Sequence, residues 1–211
     1  AVRSAWAEEL GLDREEATPG RLVAALKALG FDYVFDTDFG ADLTIMEEGS
    51  EFLERMRHRE DYTFPMFTSC CPGWVRFLKS QYPEMIGQLS TAKSPHQMQG
   101  AVTKTYLAEK FGLDPDRVYN VSVMPCIAKK KEAEIPNIND SGHGRDVDLV
   151  LTTREIARMI RADHLDVKHL PEEEFDDPFG VSSGAGVIFG ATGGVMEAAL
   201  RSCHYLVTGK N

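Results

Sequence analysis

Three of the four cysteines lie in two short motifs, and each motif has a proline directly beside one cysteine. Cys70 and Cys71 are adjacent and precede Pro72, while Cys126 follows Pro125. Thiolates are soft ligands for iron or zinc, and a thiol can also carry a proton. Zinc motifs place paired Cys or His residues a few positions apart, and no such partner lies near Cys126. Iron–sulfur clusters can take thiolates from separate loops, so they fit the spacing better; three small buried thiols are the alternative.

A second group of chemically competent residues lies on one predicted helix, Leu43 to Arg57. Glu48, Glu51 and Arg55 are spaced by three and four positions, which places them on one helical face. The spacing is typical of a surface ion-pair stripe.

Lys129 follows Cys126 by three positions, so one helical turn would place both on the same face. Lys130 and Lys131 follow it directly. A run of solvated lysines is therefore the alternative interpretation, since long charged side chains usually keep their charged ends in water.

These residues must be positioned by alternating strand-like and helix-like segments. Strands are predicted at 33–35, 64–68, 118–124 and 147–151. Helices are predicted at 19–29, 43–57, 74–81, 94–111, 154–162 and 194–207, with a Gly-rich strand or turn at 184–189. Thr18 is expected to cap the first helix before Pro19, and Thr152 or Thr153 the helix from Arg154. Such alternation predicts an α/β fold with mostly parallel strands, whose carboxyl ends carry the cysteines.

Composition narrows the classes of function. The 211 residues carry a net charge of −10 and 43% hydrophobic residues. This acidity argues against nucleic-acid or membrane-surface partners, and no apolar run reaches the ~18 residues of a membrane span. Four cysteines without a disulfide framework favour a reducing, cytoplasmic compartment. A chain that opens without Met in a helix predicts a fragment of a longer polypeptide.

Both cysteine motifs resemble those of a known family. Residues 68–74 read Thr-Ser-Cys-Cys-Pro-Gly-Trp, and residues 124–132 read Met-Pro-Cys-Ile-Ala-Lys-Lys-Lys-Glu. They match every defined position of the first two cluster-binding motifs of the iron-only (FeFe) hydrogenases. The resemblance extends over 35–37, 42–48, 93–95, 145–148 and 184–201. It implies that residues 1–211 form part of a two-lobed catalytic domain with mostly parallel sheets flanked by helices.

The resemblance implies specific metal ligands. Cys71 and Cys126 would bind the 4Fe–4S cubane of the H-cluster, and Cys70 would exchange protons with the amine that bridges the two-iron subsite. Adjacent residues on an extended backbone point to opposite sides, so Cys70 and Cys71 can face different parts of the cluster.

Further residues receive roles from the same resemblance. Lys129 would donate a charge-assisted hydrogen bond to a cyanide ligand on iron. Met124, Ser94 and Pro95 would line the two-iron pocket, and Phe189 would shield the iron. For Met124 and Phe189, ordinary core packing is the alternative.

The resemblance also implies a proton path. It runs from Cys70 through a water to Glu48, then Ser90, Glu51 and finally Arg55, which is expected near the surface.

The chain departs from the family pattern in two ways. No third cysteine motif, which carries the remaining cubane ligands, precedes Asn211, and His96 stands where many members have Gln. Cys203 has no surrounding motif and is expected to be a core thiol.

The sequence therefore predicts an iron–sulfur oxidoreductase that reversibly reduces protons to molecular hydrogen. The expected electron supply is ferredoxin or an NAD(P)-linked subunit, and this isolated fragment is expected to be inactive. The alternative is a non-catalytic relative that senses hydrogen or assists iron–sulfur protein assembly; a proton-shuttling Cys70 favours the enzyme.

Overall fold

The computed structural model describes residues 2–176, 178, 180 and 182–210, and this part of the chain is mostly helical. Its α-helices are α1 (Val2–Leu10), α2 (Pro19–Ala28), α3 (Thr37–Arg57), α4 (Pro72–Gln81), α5 (Pro95–Val102), α6 (Ala108–Phe111), α7 (Lys129–Glu132), α8 (Thr153–Ala162), α9 (Gly184–Phe189) and α10 (Gly194–Thr208). A π-helical turn at Thr103–Leu107 joins α5 to α6, so the predicted helix over 94–111 is one continuous element.

A small parallel sheet contains the two regular strands found in the described ranges. Strand β1 (Val121–Met124) pairs with β2 (Leu149–Thr152), with Val121 opposite Leu149. Both predicted strands are confirmed, shifted by one to three residues. Parallel pairing needs a crossover, and the segment between the strands supplies it with α7 and a long loop.

Two other predicted strands are wrong. In the segment 64–68 only Phe67 pairs, in an isolated parallel bridge with Leu89, and Pro65 has no amide hydrogen to extend a ladder. In the segment 33–35 the backbone of Val34 bonds instead to Asp176, whose carboxylate accepts from Val34 N at 2.8 Å. Loop residues therefore make hydrogen bonds that the backbone groups of a neighbouring strand would otherwise have made.

The sheet packs against α2 and α8, and α1 packs on α8, to form a first lobe. Val23 and Leu26 of α2 meet Ile156 of α8, with Val123 and Leu151 of the sheet against them. Trp6 of α1 fills a second cluster with Ala25 and Ile160. Both clusters are buried on all sides, so hydrophobic burial holds this lobe together.

Local signals in the sequence set the helix ends here as predicted. Thr18 caps α2 by accepting from Arg21 N, and Thr152 forms a capping box with Glu155 at the start of α8. Both expectations are confirmed, with Thr152 rather than Thr153 as the α8 cap.

Helices α3, α5, α9 and α10 form a second lobe. Gly40 of α3 lies so close to α5 that an added Cβ would collide with the carbonyl of Pro95. On the other side of α3, the buried Cys203 thiol of α10 donates to Gly49 O at 3.3 Å. The predicted core role of Cys203 is confirmed.

The Gly-rich segment at 184–189 is a helix, not the predicted strand or turn. Ser183 caps it by accepting from Ala185 N, and Asp42 of α3 accepts from the Ser183 hydroxyl at 2.7 Å. Glycine at position 186 allows this helix to approach the backbone of Asp38.

Two lysines, the partly buried Lys93 and the buried Lys104, connect the lobes. Lys93, just before α5, pairs with Asp146 at 3.0 Å, and Lys104 of the π-helical turn pairs with Asp148 at 2.8 Å. Both aspartates lie on the segment that leads into β2. No helix among the described residues is long and apolar enough to cross a membrane.

Candidate metal centre and proton path

The two cysteine motifs meet in space between the lobes. Cys71 is the N-cap residue of α4, and Cys126 lies in the turn between β1 and α7, where its carbonyl accepts from Lys129 N. A Cβ on Gly73 would lie 3.6 Å from the Cys71 sulfur and 3.9 Å from the Cβ of Ala128. Position 73 therefore lies within ordinary contact distance of both cysteine loops.

Lys129 joins the motifs directly. Its ammonium donates to the carbonyl of Cys70 at 2.6 Å and pairs with Glu132 at 2.7 Å. The residue is only 6% exposed, so the solvated-lysine interpretation is wrong. A buried cation held at this point is suited to an anionic ligand.

The remaining predicted pocket residues lie on three elements. Ser94 and Pro95 start α5, and the buried Ser94 hydroxyl has no hydrogen-bond partner among the described residues. Met124 ends β1 and packs against the core cluster of Ala133, Val147 and Val150. Phe189 ends α9 and is partly buried.

The donor set fits an iron–sulfur group. Cys70, Cys71 and Cys126 are all free thiols; Cys71 is exposed, and the other two are partly buried. Soft sulfur donors, the unpartnered Ser94 hydroxyl and the Lys129 cation match what a thiolate-ligated cluster with anionic ligands requires. The predicted ligands Cys71 and Cys126 would supply two of the four thiolates that a cubane needs.

Burial raises the pKa of the Cys70 thiol, while the Lys129 charge acts in the opposite direction. The net shift is upward, so Cys70 holds its proton at neutral pH.

Hydrogen bonds connect three of the five predicted relay residues. The Ser90 hydroxyl donates to Glu51 Oε2 at 2.7 Å, and Arg55 donates to Glu51 Oε1 at 2.6 Å. The amide of Thr91 also donates to Glu51, a contact that the sequence did not predict. Phe67 pairs with Leu89 in an isolated parallel bridge, so Ser90 lies beside the segment that leads to Cys70.

The expectation that Arg55 lies near the surface is wrong. Arg55 is 3% exposed, because its guanidinium also donates to the carbonyls of Gly87 and Leu89. Glu51, not Arg55, lines an open groove of about 770 Å³ together with Glu47 and Glu54. Glu51 is therefore the member of this hydrogen-bonded group that reaches solvent.

Glu48 lies one turn before Glu51 on α3 and is 3% exposed. Its Oε2 atom is buried without a partner among the described side chains and backbone groups. Burial, and then the charge of Glu51, raise the pKa of Glu48 to about 7. A carboxyl with this pKa can both accept and release a proton near neutrality.

Known proteins are similar to this chain over its whole length. The family model described as "Iron only hydrogenase large subunit, C-terminal domain" matches residues 1–211. The chain belongs to the iron-only hydrogenase family. It is 52% identical to the NADP-reducing hydrogenase subunit HndD of Solidesulfovibrio fructosivorans, covering 100% of this chain and 36% of that protein. It is 50% identical to the periplasmic [Fe] hydrogenase large subunit of Nitratidesulfovibrio vulgaris, covering 100% of this chain and 50% of that protein.

Solved structures of this family agree. The [FeFe]-hydrogenase HydA(deltaEFG), studied for stepwise H-cluster assembly, superimposes with a TM-score of 0.85 at 51% identity, over 99% of this chain and 51% of that one. The predicted fold class is confirmed, as a helix-rich form of it with a small parallel sheet. The chain thus spans about half of the structural relative.

More distant relatives of the iron-only hydrogenases have a different named role. The cytosolic Fe-S cluster assembly factor narfl of Xenopus tropicalis is 35% identical, over 87% of this chain and 40% of that protein. This similarity is relevant to the alternative function in iron–sulfur protein assembly.

Proposed function

We propose that this chain is part of the catalytic domain of an iron-only hydrogenase that interconverts protons plus electrons and molecular hydrogen. The observation that carries the proposal is the buried Lys129 ammonium, which holds the Cys70 loop beside the loop of Cys126. A metal centre with anionic ligands needs this combination of thiols and a desolvated cation; a merely structural cysteine pair does not.

In this proposal Cys71 and Cys126 ligate the 4Fe–4S cubane of the H-cluster. Lys129, Ser94, Pro95, Met124 and Phe189 surround its two-iron subsite. When bound, the cluster supplies the redox chemistry by which two protons and two electrons combine into one hydrogen molecule. The chain's own residues hold it, exclude water and deliver protons.

Proton delivery follows the buried carboxyl groups. Cys70 gives its proton to the reaction and recovers it from Glu48, whose pKa of about 7 suits exchange in both directions. Ser90 passes the proton between Glu48 and Glu51, and Glu51 exchanges it with water in the groove. Arg55 acts by fixing the Glu51 carboxylate with two hydrogen bonds.

The electron partner is proposed from the relatives. The relative HndD is named as part of an NADP-reducing hydrogenase, so an NAD(P)-linked subunit is one candidate, and ferredoxin is the other. We place the protein in the cytoplasm because its cysteines are free, although one relative is named as periplasmic.

The second candidate function is iron–sulfur protein assembly or hydrogen sensing without turnover. It is supported by the assembly-factor relatives at 35% identity. The lower identity and the buried Glu48 carboxyl beside the hydrogen-bonded Ser90–Glu51 pair favour the enzyme, since assembly alone needs no buried proton path.

Iron content tests the metal assignment. In the complete polypeptide, Cys71→Ala and Cys126→Ala should each lose most of the bound iron, measured by iron counting and EPR after anaerobic reconstitution. Cys203→Ala is the matched control, because this thiol is buried in the α3–α10 contact and should leave iron per folded protein unchanged. Equal iron loss in all three variants would refute the ligand assignment.

A further inference from the structure

His96 lies at the centre of a buried polar network that the proposed mechanism does not use. It is 4% exposed and belongs to the first turn of α5. Its Nε2 atom lies 2.5 Å from Glu132 Oε2, and its Nδ1 atom lies 3.1 Å from the hydroxyl of Ser122. One imidazole therefore connects helix α5 to strand β1 and to helix α7.

The same oxygen of Glu132 also binds Lys129. Lys129 Nζ lies 2.7 Å from Glu132 Oε2 and 2.6 Å from the carbonyl of Cys70. The contacts therefore run without interruption from Ser122 through His96, Glu132 and Lys129 to the Cys70 loop. A carboxylate shared by two donors at one oxygen cannot rotate without breaking a bond to one of them.

We infer that His96 is a positioning residue, which fixes the Lys129 ammonium by orienting the carboxylate that Lys129 binds. The orientation itself needs no metal; only its consequence for the two-iron pocket rests on the proposed function. His96 touches neither proposed metal ligand in any described contact.

The protonation states agree with this role. Burial lowers the pKa of His96, with the Lys129 charge acting in the same direction against the hydrogen bond to Glu132. Burial alone would raise the pKa of Glu132, but the hydrogen bond from His96 and the charge of Lys129 lower it overall. A neutral imidazole then donates from Nε2 to the Glu132 carboxylate and accepts at Nδ1 from the Ser122 hydroxyl.

Glutamine is the substitution that should keep this network. A primary amide also offers one N–H donor and one oxygen acceptor, so it can bridge Ser122 and Glu132 in the same sense. Leucine has a similar size but offers neither group. His96→Gln should therefore preserve the network, and His96→Leu should break it.

The test measures how well Lys129 is protected in the complete polypeptide prepared without iron. Reductive methylation with formaldehyde, followed by peptide mass spectrometry, reports the reactivity of each lysine. We expect His96→Leu to raise Lys129 labelling by about tenfold, the effect of losing one hydrogen bond to a charged group. His96→Gln should label like the parent.

Lys104 is the matched internal control. It is also buried and paired with a carboxylate, that of Asp148, but has no contact with His96. Its labelling should stay unchanged in His96→Leu. An equal rise at Lys104 and Lys129 would mean general loosening and would overturn the inference, as would parental Lys129 labelling in His96→Leu.

A milder variant covers the case in which His96→Leu does not fold. Ser122→Ala removes only the hydroxyl that fixes the imidazole tautomer, and should raise Lys129 labelling by a smaller factor with Lys104 unchanged. If His96→Leu does not fold, parental Lys129 labelling in Ser122→Ala would overturn the inference. Failure of the parent to assemble a cluster would count against the proposed function alone.

Discussion

At the residue scale, Glu48 is the most unusual group, because its carboxyl is buried with one oxygen unpartnered among the described residues. Its raised pKa opposes folding once the group is charged. Such a group contributes its full stability below the unfolded pKa and loses that contribution as pH rises through the folded pKa. The buried position of Glu48 therefore lowers the free energy of unfolding at neutral pH.

We predict that Glu48→Gln flattens the pH dependence of stability. The pKa of Glu48 is raised from 4.5 to about 7. A shift of this size corresponds to on the order of 3 kcal/mol. Relative to the Gln variant, the parent should lose about this free energy of unfolding between pH 4.5 and 7. Urea denaturation of the iron-free polypeptide at pH 5 and pH 8 measures it; parallel curves would contradict the buried-carboxyl assignment.

Ser90 provides the second test at this scale. Ser90→Ala removes the only hydroxyl seen to donate to Glu51, so hydrogen evolution per bound cluster should fall by roughly 10²–10⁴-fold. Ser80→Ala is the control, because that exposed hydroxyl donates only to the carbonyl of Phe77 within α4. If both variants turn over like the parent, protons take another route.

At the element scale, the close approach of α3 and α5 determines where Ser94 and Lys93 lie relative to Glu48. Thr44 of α3 also donates to the carbonyl of Lys93, so the approach is fixed by a hydrogen bond as well as by packing. Gly40 is the position that permits it.

We predict that Gly40→Ala destabilises the fold by about 1–3 kcal/mol, although alanine is the better helix former. The new methyl group would meet the Pro95 carbonyl and lie 3.2 Å from Gln99 Cβ, so the helices must separate. Gly87→Ala has nothing within 4 Å of its added Cβ and serves as the control. Thermal and urea unfolding compare the two; equal stability would exclude the close approach.

Helix ends were predictable from sequence because their signals are local. Thr18 and Thr152 cap the helices that the sequence indicated, whereas the strand expected before Cys70 is absent from the described residues. Non-local partners were not predictable. The pairing of Val34 with Asp176 and the contact of Ser183 with Asp42 beside the start of α9 join residues far apart in the chain.

In the candidate site, too, local contacts were predictable and non-local contacts were not. Periodicity predicted the shared face of Glu51 and Arg55, and their contact follows from it. It could not predict that Arg55 is buried, because the carbonyls of Gly87 and Leu89 that enclose it come from a separate turn. Glu132 had no sequence signal beyond the motif itself.

At the scale of the whole molecule, the two lobes present only part of a cluster site. The motifs of this chain supply Cys71 and Cys126, and the third thiol near them, Cys70, has another proposed role. A cubane is held by four thiolates. The chain spans between 36% and 50% of two related hydrogenases.

We therefore predict that the 211-residue chain alone retains no complete H-cluster. Anaerobic reconstitution should give substoichiometric iron, no H-cluster EPR signal and no hydrogen evolution. The complete polypeptide treated in parallel is the control. Stoichiometric iron together with hydrogen evolution from the 211-residue chain would contradict this prediction.

Both lobes are closed by contacts between distant parts of the chain. Cys203 bonds to Gly49 across 154 positions, and Arg161 bonds to Glu9 across 152. Non-local contacts of this kind form slowly, since a long loop must close first. Cys70, Cys71 and Cys126 lie inside both loops. At 5–20 residues per second, a ribosome takes roughly ten seconds between Cys70 and Cys203. During that interval the fold cannot shield the thiols from oxidants, so the newly made chain depends on a reducing milieu before it can receive iron.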